Sequence, residues 1–205
     1  MNSSHYRLVL LLLLWGAVAV LAGALKLLVH LPGPLVPLLV AGLTIGFSLS
    51  IARVASLRDA VAALSVRTIL AAHLVRFVGF YFLWLHAEGR LPVEFAQRAG
   101  WGVIAAAAGA LALLFWPEGK GFRRTLFWWN IIGAADLLFA VGTGGWLNLT
   151  RPGSMIELAG LPLTLVPLWL VPVLLSSHLY LLRQQLGACR SAALDSRAAH
   201  PAANN

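Results

Sequence analysis

Cysteine is almost missing from this 205-residue chain, and charge is thin along its whole length. The one thiol, Cys189, excludes an intramolecular disulfide and any multi-cysteine metal centre. Charged residues make up 11% of the chain against 60% hydrophobic ones, and the mean hydropathy is +0.85. Alternation of apolar and polar residues in runs of about ten is also absent, which argues against the strands of a membrane barrel. Missing too are a P-loop, a Gly-x-Ser-x-Gly elbow, a His-Glu-x-x-His pair and a Gly-rich dinucleotide fingerprint, so no familiar soluble-enzyme signature applies. Ser176-Ser177-His178 is not a catalytic arrangement, because neighbours on a helix point about 100° apart.

What the chain does have is apolar blocks long enough to cross a bilayer. A spanning helix needs about 20 such residues, because inside lipid every backbone amide must be bonded within its own segment. The pattern predicts an all-α polytopic membrane protein, a bundle of six transmembrane helices over about 8–29, 35–52, 65–85, 101–116, 125–147 and 161–182. Leu31-Pro32-Gly33-Pro34 makes a tight turn after the first, and an amphipathic lead-in to the third begins near Asp59. The polar stretch 88–100, with Pro92, is expected at the interface before a short fourth helix that Pro117-Glu118-Gly119-Lys120-Gly121 closes. Residues 1–186 form one transmembrane domain, and 187–205 read as a disordered polar tail. Alternatively the first helix is a cleaved signal sequence, since Ala17-Val18-Ala19 and Ala22-Gly23-Ala24 resemble small-residue cleavage sites; five helices would then remain.

Orientation follows from the basic residues. With six helices the termini share one side, which holds Arg7, Arg53, Arg58, Lys120, Arg123, Arg124, Arg183, Arg190 and Arg197; only Arg90, Arg98 and Arg151 fall opposite. Positive charge collects on the cytoplasmic side, so a bacterial inner-membrane location with both termini cytoplasmic is expected. The net charge of +8 is spread over these loops and does not form an aromatic-laced patch, so the bilayer is the expected partner and nucleic acid is not.

Five polar residues interrupt the spans. Counting along each helix places Arg76 and Asp136 near the middle of the third and fifth, a plausible ion pair, and Asp136 is the only carboxylate in any expected span. His73, Asn130 and His178 form a second layer nearer the cytoplasm, with His73 and Arg76 on one face at i and i+3. Gly79 and Gly133 would let a neighbouring helix or a ligand come close, and Arg67 and Lys26 sit near span ends where they snorkel. Two readings stand side by side for the five. They lock helices together, at typically under about 2 kcal/mol per contact. Or they form a substrate, ion or proton site, as intramembrane ionisable groups often do.

Other features carry less. Pro162, Pro167 and Pro172 interrupt the sixth helix; the interior two would free the carbonyls of Leu163 and Leu168, either for a cation or merely as a packing kink. Gly42, Gly46 and Ser50 form a small-residue stripe suited to close packing within the chain, in a homo-oligomer or against another membrane protein. Trp84, Trp101, Trp116, Trp128, Trp129 and Trp146 fall near span ends as an aromatic belt, while Trp15 and Trp169 lie deeper and are expected to pack against the polar cluster.

Four motifs run along residues 73–172: His73-x-x-Arg76-x-x-Gly79; Glu88-Gly89-Arg90-Leu91-Pro92-x-x-Phe95-Ala96-x-x-Ala99-Gly100-Trp101-Gly102; Trp129-Asn130-x-x-Gly133-x-x-Asp136; and Leu161-Pro162-Leu163-x-Leu165-Val166-Pro167-x-x-Leu170-Val171-Pro172, with His178 beyond. In these, residues 67–183 resemble a group of small bacterial integral-membrane proteins with no assigned activity. The resemblance implies six or seven membrane helices and supplies no reaction. In that group an Asp usually follows the Ala-Gly-Trp-Gly run, where this chain has Val103, so a functional centre containing that Asp would be altered here.

The leading functional expectation is a small transport or proton-relay protein, with Arg76 and Asp136 as a switchable pair and His73, Asn130 and His178 as its polar layer. One alternative is a haem b redox protein with His73 and His178 as axial ligands and Arg76 on a propionate. Another is a structural or assembly subunit held through the glycine stripe and basic loops.

Overall fold

The computed structural model describes residues 3–32 and 34–198, with side chains described as far as 187. Gly33 and the side chains of Cys189, Arg190 and Arg197 therefore lie outside the described residues. The chain is all helical: α1 (Ser3–Ala24), α2 (Leu35–Arg53), α3 (Ala55–Ala62), α4 (Val66–Ala72), α5 (Gly79–Ala87), α6 (Val93–Phe115), α7 (Lys120–Thr150) and α8 (Val171–Ala198). A 3-10 segment, His73–Val78, joins α4 to α5 into one apolar rod, Val66–Ala87. Among the described residues six stretches are long and apolar enough to span a bilayer, as the hydropathy pattern predicts.

The boundaries differ in instructive ways. α1 ends five residues before the expected limit, because Lys26 adopts a left-handed conformation (φ 51°) and turns the chain into a short 3-10 segment, Leu27–His30. The lead-in to the third span is a separate helix, α3, which buries Leu57, Ala60 and Val61 against α1 and α2. Ser65 then caps α4 by accepting the amide of Thr68 at 3.0 Å.

The fourth span, expected as a short helix from Trp101, instead begins inside the polar stretch 88–100. α5 closes in a Schellman turn, with Gly89 at φ 71°, its amide on the His86 carbonyl and the Arg90 amide on Leu85, both at 2.9 Å. Pro92 then precedes α6, which starts at Val93 and runs 23 residues. Sequence polarity there misleads because Gln97 and Arg98 occupy one exposed face, while Ala96, Ala99, Gly100, Val103, Ala107 and Ala110 repeat at helical spacing on the buried one. α7, at 31 residues, is about 46 Å long and exceeds the hydrocarbon thickness.

The sixth span carries the largest departure. Residues 161–164 are a turn, Val166–Leu170 is a π-turn, and the long α-helix starts only at Val171. The π register suits prolines five residues apart: the Val171 amide reaches the Val166 carbonyl. The carbonyl of Leu163 is not freed, since it accepts the amide of Val166 at 2.9 Å. α8 then runs on without a break to Ala198, beyond the point where a tail was expected to begin.

The main core lies where α5, α6, α7 and α8 meet, around Phe82, Phe95, Leu137 and Leu174. A second cluster, with Leu70 of α4, Leu113 of α6, Leu126 of α7 and Leu181 of α8, fills the other end of the bundle. α1 is peripheral and is held through Ala19 and through the Trp169 indole, which donates to the Leu12 carbonyl at 3.1 Å.

Candidate functional site

The five polar residues expected inside the spans converge. His73 and Arg76 lie on the 3-10 segment, where residues three apart stack on one face, so both side chains enter the bundle together. A six-residue 3-10 stretch in the middle of a span is unusual, and such stretches often mark a functional hinge or strain. Asn130 and Asp136 come from α7, and His178 from α8. All but Asp136 are essentially sealed: His73 is 0%, Asn130 1%, His178 1% and Arg76 2% exposed, against 14% for Asp136.

Arg76 is the hub. Its Nη2 donates to Asp136 Oδ2, and its Nη1 to the Gly133 carbonyl at 3.2 Å and to His178 Nε2 at 3.3 Å. The carboxylate fits because Gly102 on α6 has no side chain: a Cβ there would occupy the position of Asp136 Oδ1. Gly133 works similarly, since a Cβ would lie 2.7 Å from His178 Cε1 and 3.3 Å from Arg76 Nη1. The Arg76 Nε makes no hydrogen bond to protein.

The hydrogen bonds fix both histidine tautomers. Asn130 Nδ2 donates to the His178 backbone carbonyl at 3.0 Å, so its Oδ1 faces His178 Nδ1 at 2.7 Å and can only accept. His178 therefore carries its proton on Nδ1 and offers the Nε2 lone pair to Arg76. Ser177 Oγ donates to the Leu174 carbonyl at 2.8 Å, so its oxygen accepts from His73 Nε2 at 2.9 Å. His73 is thus protonated on Nε2, and its buried Nδ1 is unpartnered. The two layers expected from depth are joined into one chain: Asp136, Arg76, His178, Asn130.

The His73 and His178 ring centroids are 4.5 Å apart, and Trp129 packs on both at 4.9 and 5.2 Å. This geometry does not fit haem: axial ligands must face each other across a porphyrin plane, whereas these rings touch, and His73 Nε2 and both nitrogens of His178 are engaged by Ser177, Arg76 and Asn130. Among the described residues no three His, Cys, Asp or Glu side chains gather to hold a metal ion.

Trp129, not Trp15 or Trp169, is the aromatic residue of the cluster. Its indole donates to the Ala106 carbonyl at 2.9 Å, while Trp169 packs on Gly16 of α1 and Trp15 on Phe47. Ser177, Trp129 and Gly102 escaped sequence reasoning as cluster members, because hydroxyls, tryptophans and glycines are ordinary in membrane helices. Arg67 does more than snorkel: it bonds the Leu114 and Trp116 carbonyls at the end of α6. Gly42 and Gly46 face open space, with no atom within 4 Å of an added Cβ, so the stripe is not packed within the chain.

Beside the cluster lies a cavity of about 360 Å³. It extends from the α1–α2 and α7–α8 connections, through walls that include Val40, Phe82, Val141 and Val171, to Arg76. Among the described residues Arg76 is its only charged lining residue, and Asp136 does not line it. Val103 is buried in its wall, so the departure from the resembling group falls at the site itself.

Six apolar spans enclosing an ion pair, two histidines and an asparagine define a multi-pass helical membrane protein with its polar groups gathered inside the bundle. Residues 33–186 match the family described as "Domain of unknown function (DUF8737)", and the chain belongs to that family. The matched region takes in every span but the first and all five cluster residues. No curated protein and no solved structure matches the chain.

Proposed function

We propose that this protein is a small proton-coupled transporter, with Arg76 and Asp136 as a switchable pair and His178, Asn130 and His73 as the polar layer that sets the state of Arg76. The observation that carries this reading is the cavity that reaches Arg76 from one end of the bundle. A pair that only locked helices would have no need of an approach.

The switch follows from donor and acceptor counting. Arg76 stays charged, whereas Asp136 and His178 can each gain a proton. Protonating Asp136 weakens its hold on Nη2. Protonating His178 removes the lone pair that accepts from Nη1 and sets two cations against each other. Either event frees Arg76 to turn, and the 3-10 segment that carries it is the element that would move. The same reading places both termini in the cytoplasm and the cavity's end at the 1–2 and 5–6 connections on the opposite side.

Reconstitution in liposomes with a trapped pH-sensitive dye tests it. Asp136→Asn should abolish proton flux while leaving normal amounts of folded protein in the membrane. Loss of folded protein in both Asp136→Asn and Asp136→Glu would make the pair a helix lock instead.

A further inference from the structure

The cavity is mostly apolar, with Asn148 among its lining residues, and carries one cation, Arg76, and that combination specifies a ligand. We propose that it binds a small amphiphile with an apolar body and a single carboxylate, the carboxylate seated on Arg76, and that Asp136 takes up one proton for each anion bound. This names the substrate class of the transport site proposed above and rests on that reading.

Charge carries the argument. Arg76 is 2% exposed, lines the cavity, and has an Nε without a protein partner. Its one positive charge is already matched by Asp136. An incoming anion leaves one negative charge uncompensated inside the bundle, where each unpaired charge costs several kcal/mol. Protonation of Asp136 restores balance: the proton comes from water, the anion from solution, and the site gains no net charge. Asp136 is the group placed to take it. The charged side chain against it is Arg76 from the 3-10 segment; α6 presents only Gly102 there, and His73 and His178 stand beyond Arg76.

The same count selects a monoanion. A phosphate monoester brings close to two negative charges, and the cavity has no second cation to meet them. A planar carboxylate also matches the guanidinium fork that already holds one. The walls of Val40, Phe82, Val141 and Val171 suit a short hydrocarbon body, and a volume of about 360 Å³ lies at the lower end of known small-molecule sites.

Equilibrium dialysis of radiolabelled octanoate against the full-length protein in nanodiscs, corrected by empty nanodiscs, tests this directly. Binding should saturate at one per chain and strengthen up to tenfold per unit fall in pH between 8 and 6, with one proton taken up from weakly buffered solution. Octyl phosphate and octyltrimethylammonium should compete at least tenfold less well. Asp136→Asn should bind octanoate more tightly than the unaltered protein at pH 8 and without proton uptake, and Ala140→Phe, which narrows the cavity one helical turn from Asp136, should lose binding at least tenfold. PH-independent binding, equal competition by octyltrimethylammonium, or no saturable binding by the unaltered protein would each overturn the proposal. If octanoate fails to bind while liposome proton flux still depends on Asp136, only the ligand class is wrong. Coupled uptake of octanoate and a proton without flux would leave the ligand class standing and remove transport.

Discussion

Gly133 lies where α7 meets the His178 ring, and the space it leaves is what allows that ring to lie against Arg76. Gly133→Ala should push the imidazole off the Arg76 Nη1 and lower stability by about 1–3 kcal/mol, the usual cost of one extra group in a filled core. Thermal unfolding in detergent measures the loss, and a changed His178 imidazole NMR shift would mark its cause; an unaltered shift would mean the backbone yields instead. At this scale the sequence was informative for charge and, at Gly79 and Gly133, for close approach, and said little of the cluster's remaining members. Arg76 and Asp136 stand out because an oily run exposes any ionisable group, and depth counting brings them level. Ser177 and Gly102 do not stand out, although one sets the His73 tautomer and the other makes room for the carboxylate. Their roles depend on which neighbour they meet, and hydropathy carries no information about neighbours.

Helix number was legible from apolar runs, and helix ends were much less so. The α5–α6 connection shows why. Its polar residues suggested interface, yet Gly89 in a Schellman turn and Pro92 before α6 are punctuation compressed into five residues, and the polar side chains that follow occupy the outer face of a regular helix. The same connection is tied to its neighbours: Arg90 donates to Glu157 at 2.7 Å and Arg151 to Glu94 at 2.5 Å. The partner carboxylates hold both guanidinium groups above their usual pKa range, mainly through the hydrogen bonds they accept. Within the membrane, α6 and α7 are joined by the Trp129 indole on the Ala106 carbonyl, with Gly109 admitting the ring. Trp129→Phe keeps most of the ring contact with His73 and His178 and removes that bond. A loss of about 0.5–1.5 kcal/mol is expected on chemical denaturation; a larger loss would show that the ring's contact with the two histidines matters more than the bond.

The molecule as a whole divides into a tight unit and an attachment. α5 to α8 carry the main core, and the residues 33–186 that define the family include α5, α6, α7 and the first part of α8, whereas α1 lies outside that match and packs mainly on α3 and the start of the sixth span. Arrangement in the membrane is open to a direct check. In a Cys189→Ser background, Arg58→Cys should react with an impermeant maleimide only after the cytoplasmic face is opened, and Arg90→Cys should react in intact cells. The reverse pattern would invert the orientation that the basic residues favour.

Placing one cation against one carboxylate at the centre of the bundle has an electrical consequence. A membrane voltage exerts force on net charge, about 2.3 kcal/mol per elementary charge per 100 mV. The Arg76–Asp136 unit carries no net charge, so the field across the bilayer has no lever on its displacement as a unit. Voltage would act on this centre only where Arg76 moves apart from Asp136 or a proton enters without an anion, so a dependence on membrane potential would report separation of the pair.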